Sequence, residues 1–396
     1  MHQNSNRSST GEQPEGPDFS ADRRRVLRGA LVLGALPLAG GLPGTGAALA
    51  SQRGLSPRAR AQLSPQQMAG QRVIFSYPGL TVPSALLQQI SAGEAAGVIF
   101  FGGNISSAAQ IASVIRQLRA AQQQSPVASP LLLMTDQEGG EVRRLPGAPA
   151  LSEKQIGKSA DPSLAAAQAG TGAGQNLAGA GLNVNLAPVL DVLAKSGNFI
   201  DEYQRSYSSS AATVISCGRA FISAQQRAGV AATAKHFPGL GSAATSQNTD
   251  AGPVTLPVPL TQLRSKDEAP YPAAIAAGVK LIMASWAVYP ALDATYPAGL
   301  SRAVIQGELR GRLGYQGVTI TDAIEAGALA RFGSSAQRAV LAARAGMDLL
   351  LCAAQDVSQG QSVTQALAGA LDGGQLSAAE FTAAVQRVTA LRDALH

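Results

Sequence analysis

Asp136, Asp191, the pair Lys235-His236 and Asp322 share a local setting in this 396-residue sequence: each stands at or just past the end of a short apolar run. A carboxylate so placed can attack an electrophilic carbon or exchange a proton, and acidic and basic neighbours can make charged hydrogen bonds to hydroxyl groups. Residues 131–135 lead into Asp136, 183–186 reach Asp191 through Ala187-Pro188, 231–234 precede Lys235-His236, and 317–321 precede Asp322.

These runs belong to a longer rhythm. From Leu63 onward, segments rich in Val and Ile alternate with Ala/Leu/Gln stretches of helical period, as βα repetition requires. The apolar runs are 72–77, 97–101, 131–135, 183–186, 231–234, 280–285, 317–321 and 347–351. Eight strands separated by helices predict a single α/β domain, a closed parallel (β/α)8 TIM barrel over residues 63–396. An open doubly wound sheet is the competing arrangement, weakened because no G-x-G-x-x-G follows the first run. In a barrel, the residues that follow separate strands converge on one mouth. Ser64-Pro65-Gln66-Gln67 and Ser377-Ala378-Ala379-Glu380 predict reciprocally capped helix starts.

The N-terminal residues carry an address. Arg23-Arg24 with Val26-Leu27-Arg28, an apolar stretch from Gly29 to Gly40 and the small-x-small triplet Ala48-Leu49-Ala50 predict a twin-arginine export signal over 1–50, with a linker over 51–62. Neither Cys217 nor Cys352 lies behind that stretch, so the expected product is extracytoplasmic and not a lipoprotein, with two buried thiols rather than a disulfide framework. The formal charge is +6, about +5 of it beyond the leader. This suits solvated surface with a loose attraction to anionic cell-wall polymer; without basic runs interleaved with aromatics, no nucleic-acid partner is expected. The sequence shows no metal-ligand cluster, phosphate-cradling loop or nucleotide motif, so no cofactor and no metal is expected.

Several strings resemble glycoside hydrolase family 3, in particular its bacterial β-N-acetylglucosaminidase branch. They are Thr135-Asp136-Gln137-Glu138-Gly139-Gly140, Asn185-Leu186-Ala187-Pro188-Val189-Leu190-Asp191-Val192, Arg205-Ser206-Tyr207, Lys235-His236-Phe237-Pro238-Gly239 and Thr321-Asp322, in the family's order over roughly 63–391. The resemblance implies that Asp322 is the nucleophile of a retaining glycosidase, forming a glycosyl-enzyme ester at the anomeric carbon. It implies that Asp136, Arg205, Lys235 and His236 grip sugar hydroxyls; Arg144 and Asn248 are counted with them as substrate contacts. The residues alone leave other readings open: Asp322 with Glu325 as a helix N-cap box, Asp136 as a turn residue, His236 as a core histidine and Arg205 as an ion-pair partner.

The sequence also departs from that branch. The loop that should carry an Asp-x-His acid/base pair runs Leu240 to Asp250, and Ser246 and Asn248 occupy the two positions. Glu141 replaces an arginine, Trp286 a histidine, and only His2, His236 and His396 exist in the chain. Asn248 holds no titratable proton, and Asp250 is the only ionisable side chain between His236 and Arg264, which makes it the surrogate acid/base unless it only shapes a turn. Glu138, Glu141 and Glu202 are weaker alternatives. Three functions remain: an exo-glycosidase releasing terminal β-linked sugars such as N-acetylglucosamine from peptidoglycan or chitin fragments, a family 3 enzyme for glucosides or xylosides, or a glycan-binding protein without turnover.

Overall fold

In the computed structural model, which describes residues 63–395, the eight apolar runs form eight parallel strands: β1 (Val73–Phe75), β2 (Gly97–Ile99), β3 (Leu132–Thr135), β4 (Val184–Asn185), β5 (Ala231–Phe237), β6 (Leu281–Ala284), β7 (Val318–Ala323) and β8 (Leu349–Leu351). Each pairs with its neighbours in sequence, and β1 pairs with both β2 and β8, which closes the barrel. The expected fold is the observed one. The leader, its cleavage position and the linker lie outside the described residues.

Period-two alternation sorts the strand residues into two apolar layers. Ile74, Ile99, Leu132, Met134, Val184, Leu186, Leu281, Met283, Val318, Ile320, Leu349 and Leu351 pack in one buried cluster inside the barrel, while Phe75, Val98, Leu133, Ile282 and Leu350 pack in another with the surrounding helices. Continuing the inward set by two residues decides the chemistry of the mouth. Met134 leads to Asp136, Ile320 to Asp322, and Ala231 through Thr233 to Lys235.

The ladders are shorter than the apolar runs at β1 and β4 because the chain leaves the sheet to enter its loops, whereas β5 is longer. It runs past Ala234 to Phe237, and its register against β6 shifts between those two residues. That irregularity lets consecutive residues Lys235 and His236 both reach the cavity described below.

The scarcity of aromatic side chains, 4% of the chain, is matched by close helix packing. The helices Pro162–Ala180 and Ala211–Arg227 lie so near that a Cβ on Gly170 would sit 2.4 Å from the Phe221 carbonyl oxygen. Ser64 and Gln67 form the expected capping box. At the last helix only half of it forms: Ser377 accepts from the Glu380 amide, but the Glu380 carboxylate turns to Arg302 at 2.7 Å. Cys217 and Cys352 are buried free thiols.

Candidate active site

At the C-terminal ends of the strands lies a cavity of about 630 Å³, floored by the inward residues Ile99, Leu186, Met283 and Leu351. Asp136, Arg144, Arg205, Lys235, His236, Asn248, Asp250 and Asp322 all line it. These eight, the residues the sequence assigned to catalysis or substrate contact, therefore face one space, although they come from β5, β7 and the loops after β3, β4 and β5; Asp191 and the alternative acids Glu138 and Glu202 do not line it.

One wall is a paired network. Lys235, nearly fully buried, places Nζ 2.7 Å from Asp136 Oδ1 and 2.7 Å from Glu138 Oε1. Arg205 closes a fork on Glu138, with Nε and Nη2 each donating at 2.9 Å. Burial alone would raise the Glu138 carboxyl, but the Arg205 guanidinium and then the Lys235 ammonium outweigh it and hold it at about 2. Burial likewise works to lower the Lys235 ammonium, and Asp136 and Glu138 reverse that, raising it above its ordinary value. Glu138 is thus a fixed anion behind the wall and a poor source of protons. Glu153 accepts from the Val189 amide at 2.9 Å; burial, then the charge of Glu138, pushes its carboxyl well above the ordinary range.

His236 is buried and bonded as a core histidine would be, yet it also lines the cavity. Nδ1 donates to Asp191 Oδ2 at 2.7 Å, leaving Nε2 3.4 Å from Arg205 Nη2. Asp191 is completely buried and also accepts from the Leu240 amide at 2.6 Å, so one carboxylate orients the imidazole and the start of the following loop. Arg205 is both an ion-pair partner and a cavity residue. The Arg144 Nε is buried without a hydrogen-bond partner, while its backbone amide is pinned to Gln137 Oε1 at 3.0 Å.

Asp322, Glu325 and Asp250 add acidic groups to the cavity lining. Asp322 accepts from the Ala323 amide at 2.7 Å and caps no helix: the next helical turn spans Gly327–Phe332, with Ala326 at its N-cap. Glu325 accepts from the Ala353 amide at 3.3 Å and Gln359 Nε2 at 3.0 Å, so the alternative reading of Asp322 and Glu325 as a cap box does not hold. Asn248 does the turn-shaping expected of Asp250, its Oδ1 accepting from the Asp250 amide at 2.8 Å. The Asp250 carboxylate has no hydrogen-bond partner among the described residues. Asp250 is exposed to solvent at the cavity wall; partial desolvation there, then the charge of Asp322, raises its carboxyl above its ordinary value, against the pull of His236 and Arg205.

Glu141 lines the rim of the cavity, whereas Ser246 and Glu202 are exposed away from it. Trp286 is buried, and its Nε1 donates to the Ala323 carbonyl at 2.9 Å, beside the Asp322 backbone. Sequence reasoning had not assigned the Glu138 clamp, the orienting role of Asp191, or the aromatic side chains Phe101, Phe199 and Tyr203 that line the cavity. Glu138 and Asp191 both lie within the quoted strings, which was the available signal. No group of three or more His, Cys, Asp or Glu among the described residues is arranged to hold a metal ion.

This barrel has counterparts in known proteins. The family model for the glycosyl hydrolase family 3 N-terminal domain matches residues 71–391. An uncharacterized secreted glycosyl hydrolase of Arthroderma benhamiae is 49% identical, over 83% of this chain and 93% of that one. A β-hexosaminidase of Xanthomonas axonopodis pv. citri is 34% identical over 71% of this chain and 85% of its own. Among solved structures, a family 3 β-N-acetylglucosaminidase from Paenibacillus has a TM-score of 0.79 at 34% identity, covering 84% of this chain; the chain spans only 63% of that enzyme. A β-N-acetylhexosaminidase from Beutenbergia cavernae has a TM-score of 0.76 at 34% identity and is covered over 99% of its length. With four-fifths of its length matched by the family model and its cavity at the mouth of the same barrel, the chain belongs to glycoside hydrolase family 3 and is a glycosidase.

Proposed function

We propose that the enzyme removes terminal β-linked sugars, N-acetylglucosamine in the first place, from the ends of peptidoglycan or chitin fragments by a retaining route. The observation that carries this reading is that Asp322 and Asp250 line the same cavity as the charged hydrogen-bonding groups of Asp136, Arg205 and Lys235. Partial desolvation and the charge of Asp322 raise the Asp250 carboxyl above its ordinary value, the direction a general acid needs, which suits Asp250 to acid/base work and Asp322 to attack.

In the first step an Asp322 oxygen attacks the anomeric carbon, the bond to the leaving oxygen breaks, and the Asp250 proton passes to that oxygen. In the second step Asp250, now a carboxylate, takes a proton from water as the water oxygen attacks the anomeric carbon and the Asp322 ester bond breaks. Asp136, Arg144, Arg205, Lys235, His236 and Asn248 hold the sugar. Charged hydrogen bonds from these groups strengthen as positive charge develops on the ring.

β-Hexosaminidase and β-N-acetylglucosaminidase relatives support the N-acetyl preference. The secreted Arthroderma relative supports export; Arg23-Arg24 and Ala48-Leu49-Ala50 favour the twin-arginine route, to a site where such glycans occur, with loose cell-wall association through the net positive charge.

A panel of aryl β-glycosides tests the reading. Fastest turnover of the N-acetylglucosaminide, with the β-anomer of the free sugar formed first, is expected. Faster turnover of glucosides or xylosides would shift the specificity to another branch of the family, and no turnover of any member would overturn the hydrolytic reading in favour of a glycan-binding cavity.

A further inference from the structure

The loop that bears Asp250 is fixed at both ends. At its start, the Leu240 amide donates to Asp191, and the Gly241 carbonyl accepts from the Ala194 amide at 2.9 Å and Asn198 Nδ2 at 2.6 Å. Its middle, Ala244 to Ser246, is exposed. At its far end the carbonyls of Thr249 and Asp250 accept from the amides of Ala328 at 3.0 Å and Gly327 at 2.8 Å. Gly327 and Ala328 follow β7, only a few residues beyond Asp322. The catalytic loop is therefore docked on the same short segment that carries the nucleophile.

The docking depends on a missing side chain. A Cβ on Gly327 would lie 2.5 Å from the Ala251 carbonyl oxygen, 2.6 Å from its carbon and 2.8 Å from the Asp250 carbonyl oxygen. These are backbone atoms, which cannot rotate aside. Gly327 does not adopt a positive φ, so alanine suits the backbone there and only the space is lacking. The segment and the loop can meet only at glycine.

We propose that Gly327 is a positioning residue for catalysis: by admitting the Asp250–Ala251 backbone, it fixes the stretch of loop that presents the Asp250 carboxyl to the cavity Asp322 also lines. The proposal rests on the reading of Asp250 as acid/base. Asp250 titrates among Asp322, Glu325, His236 and Arg205, so displacing the loop alters both where the proton is delivered and how tightly it is held.

The test uses Gly327→Ala, Asp250→Ala and the double variant in the full chain, measuring kcat/KM against leaving-group pKa and against pH. A misplacement of several tenths of an ångström to 1 Å should cost Gly327→Ala about 10- to 100-fold on substrates with poor leaving groups, and under about 3-fold on activated aryl glycosides. The alkaline limb of its pH profile should move to lower pH, because Asp250 leaves the field of Asp322, and the double variant should be no slower than Asp250→Ala. If Asp250→Ala loses equally on both substrate types, the acid/base reading itself fails. If Asp250→Ala discriminates between them but Gly327→Ala does not, or if the two losses multiply, the positioning proposal is overturned. Should Gly327→Ala not fold, Ala328→Pro removes the donor to Thr249 in the first helical turn, where proline is tolerated, and must give the same selective loss.

Discussion

Replacing Glu138 by glutamine keeps the shape of the side chain and removes the anion that Arg205 and Lys235 share. Folding holds this carboxyl at about 2 against an ordinary 4.5, a gap equivalent to about 3 kcal/mol of stability at neutral pH. Because the folded-state value is the lower one, that stability is fully present above about 4.5 and is lost as the pH falls through the range down to about 2. A barrel of this size unfolds with an entropy of about 0.7 kcal/mol per kelvin, so about 3 kcal/mol corresponds to about 4 °C in Tm. Glu153 acts in the opposite sense, since loss of the Glu138 charge relieves its raised carboxyl, but burial is its larger burden and the relief is partial. Thermal unfolding followed by circular dichroism should show Glu138→Gln about 4 °C less stable than the parent at pH 7, with the gap narrowing at pH 3. A gap that does not change with pH, or a variant more stable at pH 7, would refute the clamp.

Asp250→Ala should cost about 10²- to 10⁴-fold in kcat/KM on natural-type leaving groups and little on nitrophenyl glycosides, with azide accelerating the slow second step; steady-state kinetics across a leaving-group series checks it. The export reading predicts that Arg23→Lys with Arg24→Lys retains the precursor inside the cell, and cell fractionation that finds undiminished export through the folded-protein route would contradict it.

The barrel was legible because its signals are local and repeated. Apolar runs of strand length recur eight times, and the inward alternation that buries Ile320 and Met134 carries Asp322 and Asp136 to the mouth without further information. The two consecutive cavity residues Lys235 and His236 were legible only from the family string, since strict alternation would send one of them outward; the register shift in β5 supplies the exception. Other features are contacts between distant residues and left little trace in spacing. The Glu138 clamp joins positions 67 and 97 apart, and the Asp191 carboxylate reaches His236 45 residues on. Gly327 reads as an ordinary loop glycine until Ala251 is placed beside it. Where local rules did compete, tertiary contacts decided: Glu380 chose Arg302 over its cap, and Glu325 chose Ala353 and Gln359 over pairing with Asp322.

The central claim is that Asp322 attacks the anomeric carbon, and covalent trapping tests it most directly. An activated fluoro-sugar of the preferred configuration, whose fluorine slows the second step more than the first with a good leaving group, should leave one sugar bound per chain. Peptide mapping by mass spectrometry is predicted to find that sugar esterified to Asp322, and a label on any other carboxylate would contradict the account.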